Sequence, residues 1–421
     1  MDFIKTPVKG MRDQLPADVL LRQRVMGMIR DTYRRYGFTE IETPAMEHIE
    51  NLSNKQGGEN EKLIFKILKR GRDLEKVLET GGTDFADTGL RYDLTVPLAR
   101  YYAANAAVLP SPFKALQIGS VWRADKPQKG RFRQFTQCDI DILGDGSVLS
   151  EIELIAATSE MLSKIFAQVG IRDFTVHVSD RRILSGMAKY AGFREEDFGN
   201  VFIILDKLDK IGLDGVRQEL HKAGYDAAAV EKCVSIFAED VVGKRPREFC
   251  AFLDADCLDP AVPENLERIL ACVRAMKREG VSIVFDPTLV RGMGYYTGTI
   301  FECTIDGYGF AIAGGGRYDK MIGKYSGTDV PACGFSIGFE RIITILQDHA
   351  DALSLEPETK AALLAEKGLA DEQLSALFAR AQALRAEGTT VTVQTMKKNV
   401  RRQIELLEAE GYTQIEKIYR N

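Results

Sequence analysis

The sequence predicts an α+β fold on three observations. Short strands with one apparent hairpin run from Leu90 to Gly144. A charged, helix-rich stretch from Asp180 to about Glu279 interrupts them before strands resume. From about Glu356 the chain reads strand, helix, strand, helix, strand, the alternation of a small α/β domain.

In chain order, Gln14 to Tyr36 is a helix, because Leu20, Leu21, Val25, Met28 and Ile29 recur at helical spacing and Gly37 follows as a C-cap. Phe38 to Thr43 is a short strand stopped by Pro44, and Leu90 to Thr95 is a second strand with a polar face. Glu151 to Val169 returns to helix, Phe174 to Val178 to strand. After the helix-rich stretch come strands at Ser282 to Phe285 and Thr299 to Ile305, then a strand, Ala332 to Gly338, running into the helix Phe339 to Leu346. The last unit places strands at Lys360 to Leu364, Thr390 to Gln394 and Gln414 to Ile418, with helices at Glu372 to Ala386 and Val400 to Glu410.

The 421 residues are 45% hydrophobic and 28% charged, a soluble globular composition with room for two or three domains. No apolar run approaches the roughly 18 residues that span a bilayer, and Met1 to Asp13 lacks the apolar core of a signal peptide, so a cytoplasmic protein is expected. The 7 cysteines form no CxxC pair and are odd in number, which argues against a disulfide framework or zinc site. The 4 histidines are isolated, giving little support to a histidine base. A net charge of -5 excludes a general nucleic-acid coat but not a local basic patch.

The most informative segment is Phe113 to Gly144, two strands around a basic, glycine-containing loop. Alternation on the returning strand puts Arg133, Phe135, Gln137, Asp139 and Asp141 on one face, and Thr136, Cys138, Ile140 and Ile142 on the other. The second set suits a core. The first is too polar for one, and an aromatic bracketed by arginine and glutamine can stack on a base. On the outgoing strand Gly119 leaves room for a ligand beside Arg123, whose planar fork can clamp a carboxylate and a phosphate. The alternative is a hairpin with a solvated basic tip. Arg91, Asp93 and Thr95 share a strand face, where Asp93 can hold an ammonium group or form an ordinary salt bridge. Arg291 to Gly298 is broken by glycines and carries Tyr295 and Tyr296. Ala313 to Asp319 lacks the Lys-Ser/Thr ending of a P-loop, so its glycines more plausibly let the backbone approach a small ligand. Gly338 to Arg341 sets an arginine near a helix start, a place that favours phosphates.

Together these segments resemble the histidyl-tRNA synthetases. Lys9-Gly10-Met11-Arg12-Asp13 to Pro16 is similar to the family's N-terminal signature, Tyr36 to Pro44 to class II motif 1, Arg123 to Gln137 to motif 2, Gly338 to Arg341 to motif 3, and Arg291 to Thr297 to the family's histidine segment. The resemblance covers about residues 1–346 and implies a class II antiparallel sheet flanked by helices. It implies a catalytic domain in two parts, 1–180 and 281–350, a helical insertion at 181–280, and a shortened anticodon-binding-like domain at 356–421.

The activity implied is activation of L-histidine by ATP with Mg2+, then transfer to tRNA(His), in a homodimer built through motif 1. Arg123 and Arg291 would be the catalytic groups. Arg123, Arg131, Phe135 and Arg341 would bind ATP. Asp93, Thr95, Gln137, Asp141, Tyr295, Tyr296 and Tyr318 would bind histidine. Gln128, Lys129, Lys397, Lys398, Arg401 and Arg402 are weaker tRNA candidates. Three departures stand out: Gly294 replaces the family's usual aspartate, Arg91 to Thr95 follows the archaeal and eukaryotic version, and the last domain is shorter. The alternatives are a family paralogue that regulates ATP phosphoribosyltransferase, and a ligase that passes the adenylate to something other than tRNA.

Overall fold

Proline opens the first helix, Pro16–Arg35, where its missing N–H costs no helical bond. Leu21, Val25 and Ile29 recur every four residues and are buried, and Gly37, at φ +80°, turns the chain away. Of the strand expected over Phe38 to Thr43, only Thr39–Glu40 (β1) pairs. The computed structural model describes residues 3–53, 62–126, 131–238, 241–290, 295–352 and 359–420. The chain divides into two compact units, Met1–Ala352 and Leu353–Asn421.

The first unit is built on an eight-stranded sheet. Before its long hairpin come β2 (Met46–His48), β3 (Lys66–Leu68) and β4 (Ala86–Leu90), a separate three-stranded sheet with a helix, Arg72–Glu79, that the sequence reading did not contain. The hairpin is β5 (Phe113–Trp122) and β6 (Gln134–Leu143); then follow β7 (Phe174–Asp180), β8 (Val281–Phe285), β9 (Thr299–Thr304), β10 (Ala313–Arg317) and β11 (Ala332–Gly338). The order is β1-β5-β6-β11-β10-β9-β7-β8, antiparallel throughout its centre and parallel only at the edge pairs β1–β5 and β7–β8.

The alternation expected on β6 is observed. Cys138, Ile140 and Ile142 are fully buried, and beside them the Thr136 hydroxyl accepts from Arg22 of the first helix at 3.0 Å. Helices Pro16–Arg35, Leu149–Ala167 and Phe339–Asp348 pack on the sheet and share that core. Between β7 and its neighbour β8 lie the helices Arg181–Ala191, Phe198–Leu205, Leu208–Lys222, Ala227–Ile236, Pro246–Phe249 and Ala261–Ala275. The helix-rich stretch thus leaves and re-enters the sheet at adjacent strands.

One expected strand is corrected. Pairing stops at Leu90, residues 91–94 form a turn, and Thr95–Asn105 is a helix. The overlooked signal is Pro97 inside the first turn, where proline favours a helix start. Arg91 is buried, and its guanidinium donates to the carbonyls of Thr43 (2.6 Å) and Ser120 (2.9 Å), tying the turn to the segment after β1 and to β5. The space at Gly119 is filled by the same group: a Cβ there would lie 2.4 Å from Arg91 Nη2. The room expected for a ligand beside Arg123 is therefore occupied by Arg91.

The second unit has three parallel strands, β12 (Lys360–Ala365), β13 (Thr390–Thr395) and β14 (Gln414–Ile418), in the order β13-β12-β14. Helix Asp371–Ala386 places Leu377 and Leu384 against Ala361 and Leu363. Helix Val400–Ala409 places Leu407 with Ala362 and Leu364, on the opposite parity of β12.

Arg317, at the end of β10, is buried and grips Glu151 of the helix Leu149–Ala167 through two hydrogen bonds of 2.7 Å. Replacing Glu151 by Ala leaves that guanidinium without its main countercharge, and we expect a loss of about 3 kcal/mol in urea unfolding. Replacing both Arg317 and Glu151 with apolar residues of similar volume recovers most of that loss.

Candidate active site

Glycine makes the site possible where β10 and β11 meet. A Cβ on Gly315 would lie 2.0 Å from the Gly334 carbonyl oxygen, and one on Gly316 would lie 2.5 Å from that of Thr299. These glycines serve close strand packing, although Gly314 and Gly315 also line the cleft that forms over the sheet. At Gly334 the neighbour is a carboxyl group: a Cβ would lie 1.9 Å from Asp141 Oδ1. Only glycine leaves that carboxyl group room.

The cleft encloses about 390 Å³. It brings together Asp93, Thr95, Arg123, Arg131, Phe135, Gln137, Asp141, Tyr295, Tyr296, Tyr318 and Arg341, which sequence reasoning had singled out across some 250 residues of chain. Arg291, Gln128, Lys129 and Gly294 lie outside the described residues. Lys397, Lys398, Arg401 and Arg402 belong to the second unit, exposed at the start of helix Val400–Ala409; Asn399 caps that helix, and Glu405 pairs with Arg401 at 3.4 Å and Arg402 at 3.3 Å. The lining residues not singled out as site residues include the polar or aromatic Asp125, Phe132, Asp139 and Ser336. For Asp139 the signal was present, because the strand period already set it between Gln137 and Asp141.

Two arginines enter the cleft from opposite ends of the sequence motif order. Arg123 donates from Nε to the Tyr92 carbonyl at 2.9 Å and lies over the Phe135 ring at 5.2 Å. Arg341 donates to the Ala311 carbonyl and lies 5.4 Å from the Phe310 ring centre. The helix that carries Arg341 is fixed at its first turn by Glu340, which takes two hydrogen bonds of 2.7 Å from Arg22, one of 3.0 Å from Arg12 and the Thr136 N–H. Burial works against Glu340's charge, but Arg22, the Thr136 amide and Arg12 outweigh it and hold the carboxyl below its usual range. Arg12 also covers the Phe132 ring at 4.3 Å, and the Gly10 carbonyl accepts from Arg133 N–H at 2.8 Å. The N-terminal segment thereby ties the hairpin loop to the arginine-bearing helix.

The floor behaves oppositely. Asp93, Asp139 and Asp141 are almost wholly removed from solvent. Asp93 Oδ1 accepts from Val96 N–H at 3.0 Å, and Tyr318 donates its hydroxyl to Asp141 Oδ1 at 2.5 Å. Burial raises Asp93 despite that amide and Arg123. Burial and then the charge of Asp141 raise Asp139 well above the carboxylate range. Burial lifts Asp141 to about 7, with Tyr318 opposing and Asp93 adding to the rise. Tyr295 packs edge-on against Tyr296 at 4.8 Å and Tyr318 at 6.1 Å, walling this floor with rings. Chemically, the cleft offers guanidinium groups for anions, an aromatic face for a flat ring, and buried carboxyl oxygens for N–H donors.

Comparison with known proteins agrees in kind. The family model for histidyl-tRNA synthetase matches residues 10–342. A histidine–tRNA ligase of Leifsonia xyli is 47% identical over 351 residues, 81% of this chain and 80% of that protein. A probable histidine–tRNA ligase of Tropheryma whipplei is 42% identical over 417 residues, covering 96% and 94%. A histidyl-tRNA synthetase structure from Nostoc sp. PCC 7120 superposes with a TM-score of 0.76 at 28% identity, covering 97% of this chain and 90% of that one. An ATP phosphoribosyltransferase regulatory subunit/histidyl-tRNA synthetase from Bacillus halodurans gives 0.78 at 20% identity over 100% of both chains, a likeness of fold.

The raised Asp141 has a stability consequence. Its folded value of about 7 exceeds the ordinary 3.8, so the native state holds a proton that the unfolded chain releases, and stability falls as pH rises from about 4 to about 7. Asp141→Asn, which never ionises, should therefore stabilise the protein at pH 8 by about 4 kcal/mol. The gain should largely vanish at pH 4, as read by urea unfolding at both values.

Proposed function

The chain belongs to the histidyl-tRNA synthetase family, and from that premise we propose how its cleft activates histidine. The reaction is ATP-dependent formation of histidyl-adenylate followed by transfer to tRNA. The observation that carries the assignment of roles is the pairing, in one cleft, of guanidinium groups with buried carboxyl oxygens that lack partners.

In this reading Arg123 clamps the histidine carboxylate and the α-phosphate, and Arg341, with Arg131, takes the outer phosphates. Phe135 presents the face for adenine, and Arg341 covers the other side of that ring. Asp93 receives the α-ammonium, with Thr95 and Gln137 beside it. Asp141 and Tyr296 read the imidazole, with Tyr318 fixing Asp141 and Tyr295 bordering the pocket. Arg291 stabilises charge at the α-phosphate. A histidine carboxylate oxygen attacks the α-phosphorus in line and pyrophosphate leaves. The ribose 3′-hydroxyl of tRNA(His) then attacks the carbonyl carbon of the adenylate and AMP leaves. No covalent enzyme intermediate is formed, and catalysis is positioning and charge stabilisation.

Among the described residues no group of three or more His, Cys, Asp or Glu side chains is placed to hold a metal ion. Mg2+ is proposed as the counter-ion carried in on the triphosphate. We assign 1–180 and 281–350 to the catalytic domain, 181–280 to an insertion and 356–421 to an anticodon-binding-like domain. Gln128, Lys129, Lys397, Lys398, Arg401 and Arg402 are its candidate tRNA contacts. A homodimer through the motif 1 segment is supported by β1 lying at a sheet edge and by exposed Leu15, Leu20 and Met46 nearby in sequence. Among the described residues no helix is long and apolar enough to cross a membrane, and cytoplasmic residence is proposed. The regulatory reading is not favoured, since relatives at up to 47% identity are named histidine–tRNA ligases.

Purified protein should exchange pyrophosphate into ATP only when histidine is present, and should charge tRNA(His) in a separate assay. Arg123→Ala and Arg291→Ala should each lower the exchange rate by about 100-fold or more, with far-UV circular dichroism unchanged. Normal exchange in either variant removes that arginine from the mechanism; activation without charging favours the ligase reading, and neither activity favours the regulator.

A further inference from the structure

Among the described residues, four buried oxygens of the cleft have no hydrogen-bond partner: Asp93 Oδ2, Gln137 Oε1, Asp139 Oδ1 and Asp141 Oδ2. All are acceptors, and buried acceptors left unpaired are costly, so a ligand that fits must bring N–H donors. Asp139 has no place in the roles given above. It stands on β6 opposite Gln117 of β5 and Ser336 of β11, between Gln137 and Asp141 and on their face.

Its surroundings set the direction of its neighbour. Gln137 donates from Nε2 to Ser336 Oγ at 2.9 Å, which leaves the amide oxygen as the free acceptor. The Ser336 hydroxyl is in turn hydrogen-bonded to the Asp139 carboxyl. A carboxylate at Asp139 therefore orients Ser336, and Ser336 orients Gln137.

An ammonium group carries three N–H donors and a neutral imidazole carries one, which together match the four open acceptors. We propose that Asp139 Oδ1 accepts the third N–H of the histidine α-ammonium, completing a tripod with Asp93 and Gln137 while Asp141 keeps the imidazole. This rests on the histidine-activating reading and extends it by one recognition residue. Burial and the charge of Asp141 favour a protonated Asp139 in the chain alone. An ammonium at Oδ1 supplies the opposite charge that lets the carboxylate form.

The test is competitive inhibition of the histidine-dependent exchange by two analogues: histamine, which keeps the ammonium, and imidazolepropionate, which lacks it. In Asp139→Asn, KM for histidine and Ki for histamine should rise about 10- to 100-fold, KM for ATP should hold, and imidazolepropionate should bind as well as before or better. Equal weakening of both analogues would mark Asp139 as merely structural, and no weakening of either would also overturn the proposal. If Asp139→Asn does not melt like the parent protein, Asp139→Ser carries the same comparison. Absence of histidine-dependent exchange in the unaltered protein would sink the underlying reading instead, so the two failures are distinguishable.

Discussion

Three carboxyl groups withheld from water on one cleft floor constrain everything around them. Burying an unpaired carboxylate is costly enough that the group keeps its proton unless a cation or donor arrives. Asp93, Asp139 and Asp141 are all raised for this reason; Asp141 and Asp93 raise Asp139 further, and Asp93 raises Asp141. The site is thereby poised for a cationic, N–H-rich ligand, and the stability lost in holding it must come from the rest of the sheet. A substrate that lacked either its ammonium or its ring N–H would leave a buried acceptor open, which is a stronger rejection than shape can give.

Glu340 shows the same chemistry resolved within the protein. It too is buried, yet Arg12, Arg22 and the Thr136 amide satisfy it and keep it ionised. Its task is mechanical: it holds the start of the helix Phe339–Asp348, and hence Arg341, against the hairpin. Arg317 and Glu151 do the equivalent work at the end of β10. The cleft is thus framed by satisfied ion pairs and floored by unsatisfied acceptors, and that contrast separates scaffold from site.

The glycines belong to the same design. Gly315 and Gly316 let β9, β10 and β11 approach closely, while Gly334 gives up its Cβ to the Asp141 carboxyl. Gly119 does so for Arg91, which knits the turn before helix Thr95–Asn105 to β5. A motif that reads as a ligand loop can therefore be a packing device, and position decides which.

The sequence by itself determined what repeats locally. The period of two along β6 separated Gln137, Asp139 and Asp141 from Cys138, Ile140 and Ile142, and the helical period placed Pro16–Arg35 and the five elements of the second unit close to their observed bounds. Motif chemistry named the arginines, the tyrosines and two of the three floor carboxyls of the cleft. Only the tertiary structure decided what depends on meeting across the chain: that Arg91 fills the space at Gly119, that residues 91–94 turn into a helix, that Glu340 needs Arg12 and Arg22, and that Asp139 Oδ1 lies without a partner among the described residues. The reason is physical. Periodicity reports which face a side chain takes, whereas burial, countercharge and unpaired acceptors are set by neighbours that only folding brings together.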